Sequence, residues 1–379
     1  MKPKIRLKGF EGEWENKKLE EITTDIYQPQ TISQTQFSSQ GYPVYGANGI
    51  IGFYDSYNHE TEQILVTCRG ASCGTINLSE GKCWITGNAM VINLDKVSDL
   101  FEKRFFYYLL SHIDLSFIVT GSGQPQIVRA PLLKLDMSFP SLPEQQSIAT
   151  YFKSLDALIQ SSTKKVAQLK QLKAASLISM FPQEGETKPK VRFKGFEGEW
   201  QKTKLGALFN ERLESNIYGE MLSVTMNQGI IKAFQNGRHD NSNADKSHYK
   251  VVKVNDIAYN SMRMWQGASG YSPYEGIVSP AYTVVTPNEG IDSLFFSYYF
   301  KTQNLIKVFR LNSQGLTSDT WNLKYPAFSR IEILYPKDLT EQQCIASYFQ
   351  NVDTQIRLQE QRLEKLKQIK AACLEQMFV

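Results

Sequence analysis

Two stretches of this chain space their apolar residues alike, and the text between them does not. The first runs Ile148, Phe152, Leu155, Ile159, Val166, Leu169 and Met180, and the second Ile345, Phe349, Val352, Ile356, Leu363, Leu366 and Met377. Steps that are mostly 4, 3 and 4 lay these residues along one stripe of a helix, the a/d seam of a coiled coil. The spacing predicts long helices over 142–182 and 339–379, each of about 38 residues and roughly 57 Å. Each opens on a capping-box signal, Ser141 with Glu144 and Asp338 with Glu341. Pro143 falls in the first turn, where its missing N–H does little harm. Phe181-Pro182 ends the first helix, and 183–190 is a polar linker. Ser162 and Gln359 interrupt the seams at matching places, which fixes register at some cost in stability. A linker that leads through a whole domain lets the second helix return antiparallel beside the first.

The repetition extends beyond the helices. KPKIRLKGFEGEW at 2–14 returns as KPKVRFKGFEGEW at 188–200, and LPEQQSIATYF at 142–152 returns as LTEQQCIASYF at 339–349. Cys344 and Cys373 take the places of Ser147 and Ser176, so small size is the expected requirement there. The inserts, 15–141 and 201–338, show almost no correspondence with each other. In the first, apolar runs predict strands at 42–45, 63–67, 83–86, 89–94 and 133–139, a helix near 101–112 and a loop at 120–126. In the second they predict strands near 221–226, 249–254 and 281–286 and a helix near 292–309. The expected fold class is α+β: two mixed α/β domains (1–141 and 183–338) joined by two long helices in an antiparallel coiled coil. The whole is a pseudo-two-fold internal repeat.

Composition narrows this only a little. At 379 residues the chain is long enough for two domains, and 41% hydrophobic with 12% aromatic residues argues for folded cores. A net charge of +4 is too mild to name an acidic partner by itself. Five cysteines at irregular spacing suit a reducing cytoplasm better than a disulfide framework. The N-terminus shows no charged-then-apolar leader and the chain no apolar run near 18 residues, so a protein neither exported nor membrane-bound is expected.

The repeated Gly-Phe-Glu-Gly-Glu-Trp peptide, the Glu-Gln-Gln helix start and the alternation of variable domain with long helix resemble the specificity subunit of Type I restriction-modification systems. Within the first insert, YPVYGANGIIGFYD (42–55), RGASCGTINL (69–78) and WITGNAMVI (84–92) are similar to stretches of that family's target-recognition domains. The second insert departs further from them. The resemblance implies a DNA-binding protein whose two target-recognition domains each read half of a bipartite double-stranded target. The helices would act as spacer, with two methyltransferase subunits docked on the frame and restriction/translocase subunits completing the complex. It implies no cofactor on this chain, the partners using S-adenosylmethionine, ATP and Mg.

Base edges need paired donors and acceptors, and phosphates need cations. In the stretches that carry the resemblance, Tyr45, Asn48, Arg69, Ser72 and Asn88 are the candidates. Arg69 beside Gly70 and Ala71 serves either as a bidentate base contact or as a structural salt bridge under a tight turn. Gln124 and Gln126 flank Pro125 in a glycine-rich loop, and glutamine pairs with adenine; the rival is an ordinary solvated loop. In the second insert Arg263 and Gln266 bracket Met264 and Trp265 as a counterpart of the Arg69 region, with Trp265 alternatively core. Arg238, His239 and Lys246 suit phosphate contact or plain solvation, and Ser318, Thr320 and Asn322 suit helix caps or DNA contacts. Lys164, Lys165, Lys170 and Lys173 mark a charged outer helix face, either for partners or phosphates or simply solvated.

Catalytic motifs do not complete. SPAY at 279–282 has serine where an adenine methyltransferase motif needs asparagine, and Gly70 to Gly74 with Thr75 lacks a phosphate-loop lysine. Glu80 and Lys82 form half of a nuclease signature, and His59, Cys68, Cys73 and Cys83 lack paired zinc spacing. A reader that lends specificity to other subunits is expected. The competing classes are a free-standing DNA-modifying enzyme and a coiled-coil scaffold without DNA specificity.

Overall fold

A computed structural model describes residues 2–121, 123–226, 229–233, 245–317 and 320–378. The chain divides into two compact units, Met1–Thr163 with Gln361–Val379, and Lys164–Glu360.

In the first unit, the N-terminal peptide is tied to the start of the first long helix, Leu142–Ser179. The Arg6 guanidinium donates twice to the Glu144 carboxylate (both 2.7 Å) and to the carbonyls of Glu11 and Gly12. Glu144 is 1% exposed, so the pair is close to fully desolvated on the acid side. This corrects the capping-box expectation: the carboxylate three residues into the helix turns inward to an arginine, not back to the cap. Gln145 then accepts from Glu102 N–H (2.9 Å) and donates to Pro140 O (2.8 Å), which docks the helix Lys103–His112.

A four-stranded antiparallel sheet lies at the centre, ordered Ile26–Tyr27, Ala89–Ile92, Ile64–Thr67, Ile76–Leu78. Successive strand side chains point to opposite faces, so Ile64 and Val66 enter the large core while Leu65 joins Tyr45, Ile85 and Val91 in a small one. A second sheet joins Gly49–Tyr54, Tyr42–Gly46 and Trp84–Ile85. Strand Glu15–Lys18 pairs with Asp136–Phe139 at the base. The expected strand 133–139 is shorter, because Arg129–Leu133 forms a helical turn first.

The second unit repeats this plan with different residues. Arg192 binds Glu341 (2.6 and 2.7 Å) and Gly198 O (2.6 Å), Gln342 accepts from Asp292 N–H (2.8 Å) and donates to Pro336 O (2.9 Å), and Gln201–Lys204 pairs with Glu332–Tyr335. Its four-stranded sheet runs Phe209–Glu211, Tyr282–Pro287, Ile257–Asn260, Ser269–Tyr271, the same order as in the first unit. Two inserts without recognisable sequence correspondence thus share a central sheet and a base strand pair, while the three-stranded second sheet gives way to two two-stranded ones, Leu222–Thr225 with Gly229–Lys232 and Lys250–Val252 with Gly276–Val278. The single helix expected near 292–309 is two, Ser293–Tyr299 and Gln303–Asn312, because the Thr302 side chain caps the second.

Each unit contains one antiparallel stretch of the long helices, the second of which is Leu339–Met377. In the first unit Lys370 binds Asp156 (2.5 Å), which also accepts from Tyr108 (2.8 Å), and Tyr151 meets Cys373 Sγ at 3.4 Å. In the second, Lys173 binds Asp353 (2.5 Å), which accepts from Tyr298 (3.0 Å), and Tyr348 meets Ser176 Oγ at 2.8 Å. The interchange of Cys373 and Ser176 therefore rests on more than size: each gives a tyrosine hydroxyl a polar partner. Lys170 also binds Glu360 (2.7 Å), so Lys170 and Lys173 are inter-helix ion pairs, while Lys164 and Lys165 are exposed.

Candidate nucleic-acid interface

In the first unit, one end of the central sheet gathers four loops. Strand Ile64–Thr67 leaves the sheet at Cys68, and Gly70 and Gly74 (φ +87° and +93°) let the following loop turn back into Ile76–Leu78. Cys68 N–H reaches Asn88 O at 3.4 Å, bringing in the 86–88 turn, and Ile127 N–H reaches Cys68 O at 3.1 Å. The 120–126 loop closes on itself through two 2.8 Å bonds between Thr120 and Gln126, and Gly70 N–H donates to Pro125 O at 3.1 Å. Thr67 Oγ1 and Asn77 Nδ2 both donate to Ala47 O, which adds the 46–49 turn.

Asn48, Arg69, Ser72, Asn88, Gln124 and Gln126 are thereby collected on one surface, all exposed except the half-buried Ser72. Among the described residues Arg69 has no acidic partner, which removes the salt-bridge reading and leaves its guanidinium free. Tyr45 is a correction. It is 6% exposed, and its hydroxyl accepts from Glu80 N–H (3.0 Å), so it is a core side chain with no face left for a base. Gln28, not among the sequence candidates, lies beside them: its amide donates to Cys68 Sγ at 3.0 Å.

The second unit builds the corresponding place. Strand Ile257–Asn260 leaves its sheet at Ser261, whose N–H reaches Ala281 O at 3.2 Å and whose carbonyl accepts from Leu323 N–H at 2.8 Å. The 314–322 loop closes through bonds of 3.0 and 2.8 Å between Gln314 and Asn322. Ser261 thus stands where Cys68 stands and Met262 where Arg69 stands, so Arg263 belongs to the same region one residue further on. Arg263 donates to Gln266 Oε1 at 3.3 Å on a short turn whose Met264 is fully buried. Trp265 is half-buried and packs edge-on against Trp321 (5.2 Å, 78°), a surface pair and not core. Trp321 is not among the sequence candidates, although it is an aromatic in a loop of small polar residues.

Thr320 Oγ1 bonds Thr317 N–H and O within its own turn, the local capping role (3.1 and 2.9 Å). Lys246 lies before Lys250–Val252, whose sheet partner is Gly276–Val278, and no contact among the described residues ties it to the 261–268 loop. Arg238, His239 and Ser318 lie outside the described residues.

The remaining polar clusters have structural partners. Both His59 ring nitrogens are engaged, by Tyr27 Oη (2.8 Å) and Asn58 Oδ1 (2.6 Å), and burial lowers its pKa. Burial pushes the Cys73 and Cys83 thiols up, toward the neutral form. Among the described residues no group of three or more His, Cys, Asp or Glu is placed to hold a metal ion, and no helix is long and apolar enough to cross a membrane.

Comparison with known proteins identifies the architecture. The profile of the family described as Type I restriction modification DNA specificity domain matches residues 11–171 and 197–368, once in each half, and the chain belongs to this family. It is 28% identical over 132 residues to the Type I restriction enzyme EcoprrI specificity subunit of Escherichia coli, covering 35% of this chain and 32% of that protein. It is 26% identical over 156 residues to the putative type I restriction enzyme specificity subunit S.HindORF215P of Haemophilus influenzae, covering 40% and 39%. These matches span only about a third to two-fifths of the relatives' own length. The crystal structure of the Type-I restriction-modification system S subunit from M. genitalium superposes with a TM-score of 0.68 at 17% identity, covering 100% of this chain and 99% of that one. That likeness bears on the fold.

Proposed function

We propose that this chain is the DNA-recognition subunit of a Type I restriction-modification complex, each insert reading one half of a bipartite duplex sequence. The observation that carries the proposal is the repetition: one scaffold presents a loop cluster at the same end of its central sheet in both units, with different side chains in each. A protein that must read two unlike half-sites needs this combination, whereas a scaffold has no use for diverged polar loops on a retained framework. The long helices set the number of unread base pairs between the half-sites and carry the docking surface for two methyltransferase subunits, with restriction/translocase subunits added for cleavage. Chemistry belongs to those partners, which use S-adenosylmethionine, ATP and Mg; this chain supplies position. Linking two weak readers makes the second encounter intramolecular, which raises joint affinity by roughly 10²–10⁴ over either alone.

The test is to map methylated bases in cells with and without this gene. A two-part motif with an unread gap, lost on deletion, is the expected result. Within it, Arg69→Ala relaxes or abolishes recognition of one half only. An unchanged methylation map, or a single contiguous motif, would sink the reading.

A further inference from the structure

We propose that Gln126 and Asn322 are one reading position used twice, each recognising an adenine in its own half-site; the inference rests on the DNA-reading function above. Backbone hydrogen bonds establish the equivalence. Gln126 is the last residue of a loop closed by its bonds to Thr120, and the next residue, Ile127, donates to Cys68 O. Asn322 is the last residue of a loop closed by its bonds to Gln314, and the next residue, Leu323, donates to Ser261 O. Cys68 and Ser261 are each the first residue beyond the corresponding central strand. Ile127 and Leu323 are buried anchors, 2% and 0% exposed, which hold the preceding Cα of each loop in place.

The chemistry at this position is the same in both units. Around it the loops have diverged: Met262 replaces Arg69, Ala281 replaces Asn88, and the loop between the closing bonds is two residues longer in the second unit (315–321 against 121–125). A carboxamide is nonetheless retained, differing by one methylene. It offers a donor and an acceptor side by side, which matches the N7 acceptor and N6 amino donor on the major-groove edge of adenine. Guanine offers two acceptors there and cytosine a donor alone, so neither satisfies both ends of the amide.

Among the described residues neither amide is committed to a partner. Gln126 is exposed, and among the described residues its side chain has no hydrogen-bond partner. Asn322 Oδ1 is buried and has no partner among the described residues, an arrangement rare in folded proteins, where buried acceptors are almost always satisfied. Asn322 Oδ1 is turned inward on a half-buried residue, so reading with both ends of the amide requires a side-chain rotation. No hydrogen bond of that oxygen has to break for the rotation to occur.

The full-length chain, assembled with its methyltransferase, is presented with a library of randomised duplexes, and enrichment is scored base by base. The isosteric variants Gln126→Glu and Asn322→Asp keep side-chain shape while removing the amide donor. Each is expected to lower the adenine preference at one position of one half-site about 10- to 100-fold, leaving the other half-site unchanged. Thermal unfolding like that of the parent shows that the loss is one of recognition. Preference unchanged, preference lost at a base other than adenine, or uniform weakening at every position, as for a phosphate contact, overturns the assignment while leaving the DNA-reading function intact. A parent complex that shows no base preference at all overturns both.

Discussion

The ammonium of Lys301 sits half-buried in a cleft of about 380 Å³ that Lys173, Tyr298, Gln350 and Asp353 also line. Burial, and after it the like charge of Lys173, bring its pKa down from 10.5 to about 8, against a smaller opposing pull from Asp353. Asp353 is already engaged by Lys173 and Tyr298. Between about pH 8 and 10.5 the unfolded chain keeps a proton that the folded chain has released, so stability rises with pH across that window. Below it both states are charged and the folded protein bears the whole cost of desolvation. Lys301→Met should therefore stabilise the second unit at pH 7, and its advantage should fade as pH climbs from 8 past 10.5. Denaturation of parent and variant at several pH values checks this; a difference constant across the series would mean that the buried charge is not the cause. Ser111 follows Tyr108 by the three residues that separate Lys301 from Tyr298, so the first unit carries no such charge and should show no such dependence.

Strand Ser269–Tyr271 passes so close to the hairpin of Leu222–Thr225 and Gly229–Lys232 that Gly270 leaves no room for a methyl group. A Cβ there would lie 2.5 Å from Gly229 Cα and 2.9 Å from Gly229 C and Ile230 N, all backbone atoms with no rotamer to escape into. Gly270→Ala should cost the second unit about 1–3 kcal/mol, as overpacking does. Hydrogen exchange should show faster opening in 222–225, 229–232 and 269–271 with the strands at 64–67 and 89–92 unaffected. No single-sequence pattern announced this crossing. The long helices are legible because their seam repeats over about ten turns, and two central strands of the first insert because Ile64–Val66 and Ala89–Ile92 are continuously apolar. Ile26–Tyr27 and Ile76–Leu78 are too short to show alternation, and Gly49–Tyr54, the longest strand described in the first insert, is not among the expected ones because two glycines interrupt its apolar run. The capping boxes were misread because the partners of Glu144 and Glu341 are arginines 138 and 149 residues away. At the loops, Arg69 and Gln126 stand out as polar residues among glycines, whereas Tyr45 lies in a strand stretch, Val44 to Gly46, that is buried on both faces. The Gln126–Asn322 equivalence was hidden by loops of different length.

The second insert is attached to its frame through aromatic packing as well as through the chain. Phe349 comes from the second long helix, Phe181 from just past the end of the first and Trp200 from the repeated peptide, while Phe295, Tyr298 and Tyr299 come from the insert. Phe181 lies 5.6 Å from Phe295 and 4.8 Å from Tyr299, and Tyr298 lies 5.1 Å from Phe349. Strand Gln201–Lys204 pairs with Glu332–Tyr335, so the two ends of the insert must travel together. Exchange of 201–338 for a relative's insert should succeed when the donor supplies aromatics at the places of Phe295, Tyr298 and Tyr299. Such a chimera should methylate a hybrid target, one half-site taken from the donor and the other unchanged, because the loops of the first unit are held entirely by bonds within it. Methylome sequencing reads the outcome directly. A change in both half-sites would show that the inserts do not read independently. A donor without the Tyr298 hydroxyl takes one of the two described hydrogen-bond donors from Asp353 and leaves it Lys173, so misfolding of that chimera, cured by restoring the tyrosine, would separate a failure of the frame contact from a failure of modular reading.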